Sequence, residues 1–106
     1  MVIVAIRWNF WRAKPRDRVD PVTIGHLDQF ATTRAGVEAF LEPVTTMTKA
    51  SLLLVAADGE WTRRSIESAE WGRRFAARHK LPVYDAGVVG YPQRMRDFNE
   101  RRKSSG

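Results

Sequence analysis

The sequence predicts a single α+β domain, and three features carry that expectation. Two strand-like runs, Ser51 to Ala57 and Glu60 to Ile66, flank the dipeptide Asp58-Gly59 as the arms of a β-hairpin would. Apolar residues recur at helical spacing after Ser68 and again after Tyr91. With 43% hydrophobic and 28% charged residues, the 106-residue chain has a folding composition, and area scaling suggests it buries roughly two thirds of its unfolded surface. The expected architecture is a small antiparallel or mixed sheet built on the 51–66 hairpin, with two or more helices packed against it. Residues 1–21 are expected to form an N-terminal extension with scope for flexibility, 22–101 the compact domain, and 102–106 a frayed tail.

Val2, Val4, Ile6, Trp8 and Phe10 alternate as in a half-buried strand before the segment turns basic at Arg12, Lys14, Arg16 and Arg18. Ala13 to Pro21 has two prolines and alternating charge, as an exposed linker would. From Ile24 to Leu41 a helical spacing is broken at Thr32, Thr33 and Gly36, so one or two short helices fit; alternatively Val37 to Leu41 begins a strand that ends at Pro43.

The run Leu52 to Val55 is apolar on both faces and belongs in the centre of a sheet. In its partner, Trp61 and Ile66 are apolar, while Thr62, Arg63 and Arg64 are expected to face water. Asp-Gly suggests a two-residue type I′ turn, which requires positive φ at both positions. Ser68 can cap a helix that runs to about Lys80, with Glu70 at its positive end and Trp71, Gly72, Phe75 and Ala76 on its buried stripe. Pro82 stops that helix, and Val83 to Asp85 form a short strand. Gly87-Val-Val-Gly90 reads as a tight turn whose valines pack inward. Pro92 then opens a last helix with Tyr91, Met95 and Phe98 as its buried stripe.

Eighteen basic residues against twelve acidic ones give a net charge of +6, concentrated in three blocks at 1–20, 61–80 and 92–106. Such a surface favours an anionic partner. No cysteine is present, which excludes disulfides, thiolate metal sites and thiol nucleophiles. The apolar runs Val2–Ile6 and Leu52–Ala57 are far shorter than the ~20 residues of a membrane helix. No secretory leader is expected, because the first apolar run lacks a basic lead-in. The expected compartment is the cytoplasm.

Two segments, Asp58-Gly-Glu-Trp-Thr-Arg-Arg64 and Val83-Tyr-Asp-Ala-Gly-Val-Val-Gly-Tyr-Pro-Gln-Arg-Met-Arg-Asp97, resemble those of a family of small uncharacterised actinobacterial proteins. The resemblance spans roughly residues 36 to 98. Some of those proteins carry the label oxidoreductase, but the resemblance implies no established activity, cofactor or site residue.

No cofactor is expected, since no strand leads through Gly-x-Gly-x-x-Gly into a helix, although the alternative of a small enzyme or cofactor-binding protein stays open because a flavin or quinone can bind without a motif. No metal site is expected either, because His26 and His79 lie far apart without i, i+4 partners. A Gly-x-x-Gly backbone clamp for RNA is disfavoured by the two valines inside it. Ser51, Ser65 and Ser68 lie in no nucleophile-elbow pattern. If the chain were a small enzyme, Asp85 with Tyr84 would be the place to look, a carboxylate at a strand end beside a glycine turn; the simpler reading gives Asp85 backbone N–H groups to accept. The leading expectation is a non-enzymatic nucleic-acid-binding accessory domain using Trp61, Arg63, Arg64, Arg73, Arg74, Arg78, Arg94 and Arg96, because arginine grips phosphate and tryptophan stacks on bases. Helix-face arginines can equally be solvated or paired with nearby carboxylates, as Glu70 with Arg74. The alternative is a protein-interaction subunit that docks an acidic partner, with Trp8, Phe10 and Trp11 ordering in the complex. A variant places that aromatic start on an anionic membrane surface.

Overall fold

The computed structural model describes residues 19–47 and 49–105. The sequence expectations for residues 1–18, including the alternating strand and the aromatic start, lie outside the described residues. The elements run α1 (Pro21–Thr33), β1 (Glu38–Glu42), β2 (Ser51–Val55), β3 (Trp61–Ser65), α2 (Ala69–Arg78), β4 (Val83–Asp85), α3 (Ala86–Val89) and α4 (Gln93–Ser105). The strands form one mixed sheet in the order β3-β2-β1-β4, so the fold is α+β as expected.

β1, β2 and β3 form an antiparallel meander. α2 then carries the chain back so that β4 pairs with β1 in parallel, Phe40 opposite Tyr84. β2 is central, and Leu52, Leu53, Leu54 and Val55 have no measurable exposure because both faces of the sheet are covered. Each such aliphatic side chain contributes roughly 1.5–3 kcal/mol by leaving water.

Strand alternation divides the core in two. On one face Ala39, Leu41, Leu52 and Leu54 meet Leu27 and Phe30 of α1 and Phe75 and Ala76 of α2. On the other, Phe40, Leu53 and Val55 meet Ala86 of α3 and Met95 of α4, with Trp61 packed alongside. The helices therefore lie in two layers, α1 and α2 on one side of the sheet, α3 and α4 on the other.

Local chemistry sets most boundaries. Pro21 occupies the first turn of α1, where its missing N–H costs nothing. Ser68 caps α2 by accepting from the Trp71 N–H at 3.1 Å. The helix stops at Arg78, short of Lys80, because Lys80 takes a left-handed conformation at φ 57°. Lys80 N–H then bonds to Ala77 O and Leu81 N–H to Ala76 O, a Schellman termination with Leu81 folded onto the core. Of the two readings of residues 37–41, the strand is the one adopted.

Four local expectations are corrected. The hairpin loop has three residues, Ala57, Asp58 and Gly59: Ala56 N–H bonds to Glu60 O, and only Gly59 has positive φ, at 94°. A type I turn closed by one left-handed residue needs a single positive φ, so Asp58 keeps ordinary geometry and its Oδ1 accepts from Glu60 N–H at 2.9 Å. Thr62 is buried, because its hydroxyl finds His26 Nε2 at 2.6 Å beneath α1. Val88 and Val89 face outward, since α3 is a single turn anchored through Ala86 alone. The last helix runs on to Ser105, so residues 102–105 belong to α4, where a frayed tail was expected.

Candidate nucleic-acid interface

The eight predicted contact residues do not share one surface. β3 alternates, so Trp61 and Arg63 project on the α4 side of the sheet, while Thr62 and Arg64 project on the α1–α2 side. Arg73, Arg74 and Arg78 lie on the exposed flank of α2, in the layer opposite Arg94 and Arg96 of α4.

Several are also already engaged. Arg63 grips Glu42 through Nε at 2.8 Å and Nη2 at 3.0 Å. Arg94 holds Glu38 Oε1 at 2.6 Å and Ala56 O at 3.0 Å, which ties α4 to the sheet. Arg74 pairs with Glu70 at 3.4 Å, and Arg78 approaches Asp28 at 3.9 Å. Arg64, Arg73 and Arg96 form no ion pair among the described residues.

What the fold does assemble is a groove between β3 and α4. A space of about 480 Å³ is lined by Trp61, Phe98, Asn99, Arg102 and Lys103. Trp61 Nε1–H donates to Asn99 Oδ1 at 2.8 Å, which fixes the indole against the helix. The Arg63 guanidinium stands 5.5 Å from the Trp61 ring centre, and those of Arg101 and Arg102 each 5.8 Å from that of Phe98. Cations beside ring faces of this kind gain from the ring quadrupole. Arg102 and Lys103 form no ion pair among the described residues.

Trp61 was legible in the sequence; Asn99, Arg102 and Lys103 were not. A signal existed. Met95, Phe98, Asn99, Arg102 and Lys103 follow the i, i+3, i+4 spacing of one helical flank, which assigning 102–106 to a tail concealed.

The catalytic candidates find structural work. Asp85 Oδ1 accepts from Gly87 N–H at 2.8 Å and caps α3. Tyr84 leans on Phe40, ring centres 5.4 Å apart, and its hydroxyl donates to Glu38 Oε2 at 3.4 Å. Tyr91 donates to Glu42; that bond, together with burial, raises its phenol above the ordinary value and keeps it neutral. Arg63 is raised in turn by its bonds to the same carboxylate.

The histidines lie on the other side of the sheet. His79 Nε2–H donates to Asp28 Oδ1 at 2.7 Å and its ring rests on Phe75, 4.5 Å between centres. His26 is lowered, first by burial and then by Arg64 and Arg34. Among the described residues no group of three or more His, Cys, Asp or Glu could hold a metal ion, and no helix is long and apolar enough to cross a membrane. Compared with known proteins, the chain matches no family model, no curated protein and no solved structure.

Proposed function

We propose that this protein is a non-enzymatic binding domain that contacts single-stranded nucleic acid through the groove between β3 and α4. The observation that carries the reading is the groove's composition: two aromatic rings, Trp61 and Phe98, stand beside Arg102 and Lys103, two cations without ion pairs among the described residues. An unstacked base has a ring face for Trp61 or Phe98, while the flanking phosphates meet the cations. Asn99 spends its carbonyl oxygen on Trp61 and keeps its NH₂ as a donor. Arg96 extends the positive flank along α4. The arginines of α2 lie outside this surface.

The test is fluorescence anisotropy with short labelled oligothymidylate and oligouridylate. Stacking of one base is worth ~1–3 kcal/mol, and each phosphate neutralised adds about 0.7 to the slope of log K against log salt. Arg102→Glu with Lys103→Glu is expected to abolish binding, whereas Arg73→Glu with Arg74→Glu on α2 leaves it within about twofold, near the scatter of independent surface sites. Equal losses from both pairs, or no response to salt, would overturn the groove as the site.

A second reading rests on α2 itself. Its exposed flank carries Arg73, Arg74 and Arg78, while Trp71 and Phe75 turn towards the core, an arrangement suited to an acidic protein rather than to bases. It predicts a complex that survives nuclease treatment and is lost with Arg73→Glu and Arg78→Glu.

A further inference from the structure

We propose that the open hollow between β1, β4 and the α3–α4 connection is an aromatic-lined site for a small organic cation of the quaternary ammonium type. The space measures about 210 Å³ and its walls include Glu38, Phe40, Tyr84, Val89, Tyr91 and Pro92. It lies on the α3–α4 side of the sheet but at the β4 edge, away from the β3 groove.

The sheet builds three of its walls directly. Phe40 and Tyr84 are register partners of parallel strands and project from the same face, and Glu38, two residues before Phe40, projects beside them. The fourth comes from the connection after α3. Gly90, at φ 73°, turns the chain so that Tyr91 and Pro92 border the same open hollow. Phe40 is buried and floors the space, while Tyr84 and Tyr91 are exposed at its sides.

Three features select a cation that is also apolar. Aromatic rings on several sides attract positive charge through their quadrupoles, and methylated nitrogen sheds its water more readily than a bare ammonium. Glu38 adds a carboxylate oxygen: Arg94 balances its charge through Oε1 at 2.6 Å, while Oε2, among the described residues, takes the long 3.4 Å bond from Tyr84 and lies at the cavity wall. Tyr91 is held in advance by its bond to Glu42, and the Tyr84 ring leans on Phe40 with 5.4 Å between centres, so less ordering is left for the ligand to supply.

The experiment is a titration of the isotopically labelled protein with choline, and with the neutral analogue in which a quaternary carbon replaces the nitrogen, followed by amide chemical shifts. Choline is expected to shift Tyr84, Val89, Gly90 and Tyr91, with the neutral analogue about fivefold weaker or more, as loss of the cation–ring attraction requires. Tyr84→Leu and Tyr91→Leu should each weaken choline by a similar factor, and Glu38→Gln should weaken choline without affecting the analogue. Equal affinity for the two molecules overturns the proposal. So does the absence of shifts around the cavity, and both results are read on the unmodified protein.

Discussion

Replacing Gly59 with alanine tests whether the hairpin loop and α4 are joined as described. A Cβ at Gly59 would lie 2.7 Å from the Arg94 carbonyl carbon and 2.9 Å from Phe98 Cβ, with the Arg94 carbonyl oxygen closer still. These are backbone and near-backbone atoms and cannot swing aside, so α4 must retreat from the sheet or the loop must buckle. Two costs add. Holding an L-residue in the left-handed region costs about 1 kcal/mol, and forcing a methyl into a packed contact costs ~1–3 kcal/mol. The sum is ~2–4 kcal/mol, a large part of the ~5–15 kcal/mol by which domains of this kind are stable. Urea unfolding followed by far-ultraviolet circular dichroism reads the loss directly, as a lower midpoint at unchanged slope. Asp58→Ala removes the bond to the Glu60 N–H, along with a surface charge near Arg34 and Glu60, and is the control, at about 1 kcal/mol. A Gly59→Ala protein within ~0.5 kcal/mol of the parent, the range of ordinary surface changes, would refute the close approach of loop and helix.

Four further outcomes are expected. Lys80→Gly relieves a left-handed lysine at the end of α2 and should stabilise the fold by ~0.5–1 kcal/mol, raising Tm by a few degrees; no gain would contradict the Schellman termination. Ser68→Ala removes the α2 cap and should cost about 1 kcal/mol in the same assay. His26 is held below its ordinary value by burial and neighbouring arginines, so the unfolded chain takes up its proton first: stability is intact above the ordinary histidine value and declines as pH falls through it. His26→Gln should flatten that part of the pH profile, and an unchanged slope would assign it elsewhere. Glu42→Gln should return the Tyr91 phenol towards its ordinary value, seen as phenolate absorbance at lower pH, since the bond to the Glu42 carboxylate is what chiefly raises it.

Signals confined to a few neighbouring residues were legible before any coordinates. The hairpin and the capped start of α2 each depend on interactions within about one turn of chain, so residue type and spacing suffice, whereas α2 ends at left-handed Lys80 before Pro82 is reached, and Tyr91, expected on the buried stripe of α4, lies exposed ahead of that helix. Where two local solutions were close in energy the choice was not local. Asp58-Gly59 fits a two-residue or a three-residue loop, and a tertiary contact favours the latter by placing Gly59 under α4. Thr62 looked solvated until α1 brought His26 over it. Val88 and Val89 looked like core residues, yet one turn of helix anchored at Ala86 has no inward side left for them.

The gathering of charge shows the same division. Composition alone established a surplus of arginine and the blocks that carry it, because both are sums over the chain. Which guanidinium faces which carboxylate depends on strand order and on the side of the sheet each helix covers. α2 and α4 look alike as basic helices, but they pack on opposite faces. Glu38 and Glu42, far away in sequence, neutralise Arg94 and Arg63. Tertiary structure thus divided one apparent basic surface into separate parts, joined Trp61 to the last turns of α4, and set Phe40, Tyr84 and Tyr91 around one cavity. Contacts between residues dozens of positions apart form only when the whole chain closes over a shared core, and no local pattern encodes them.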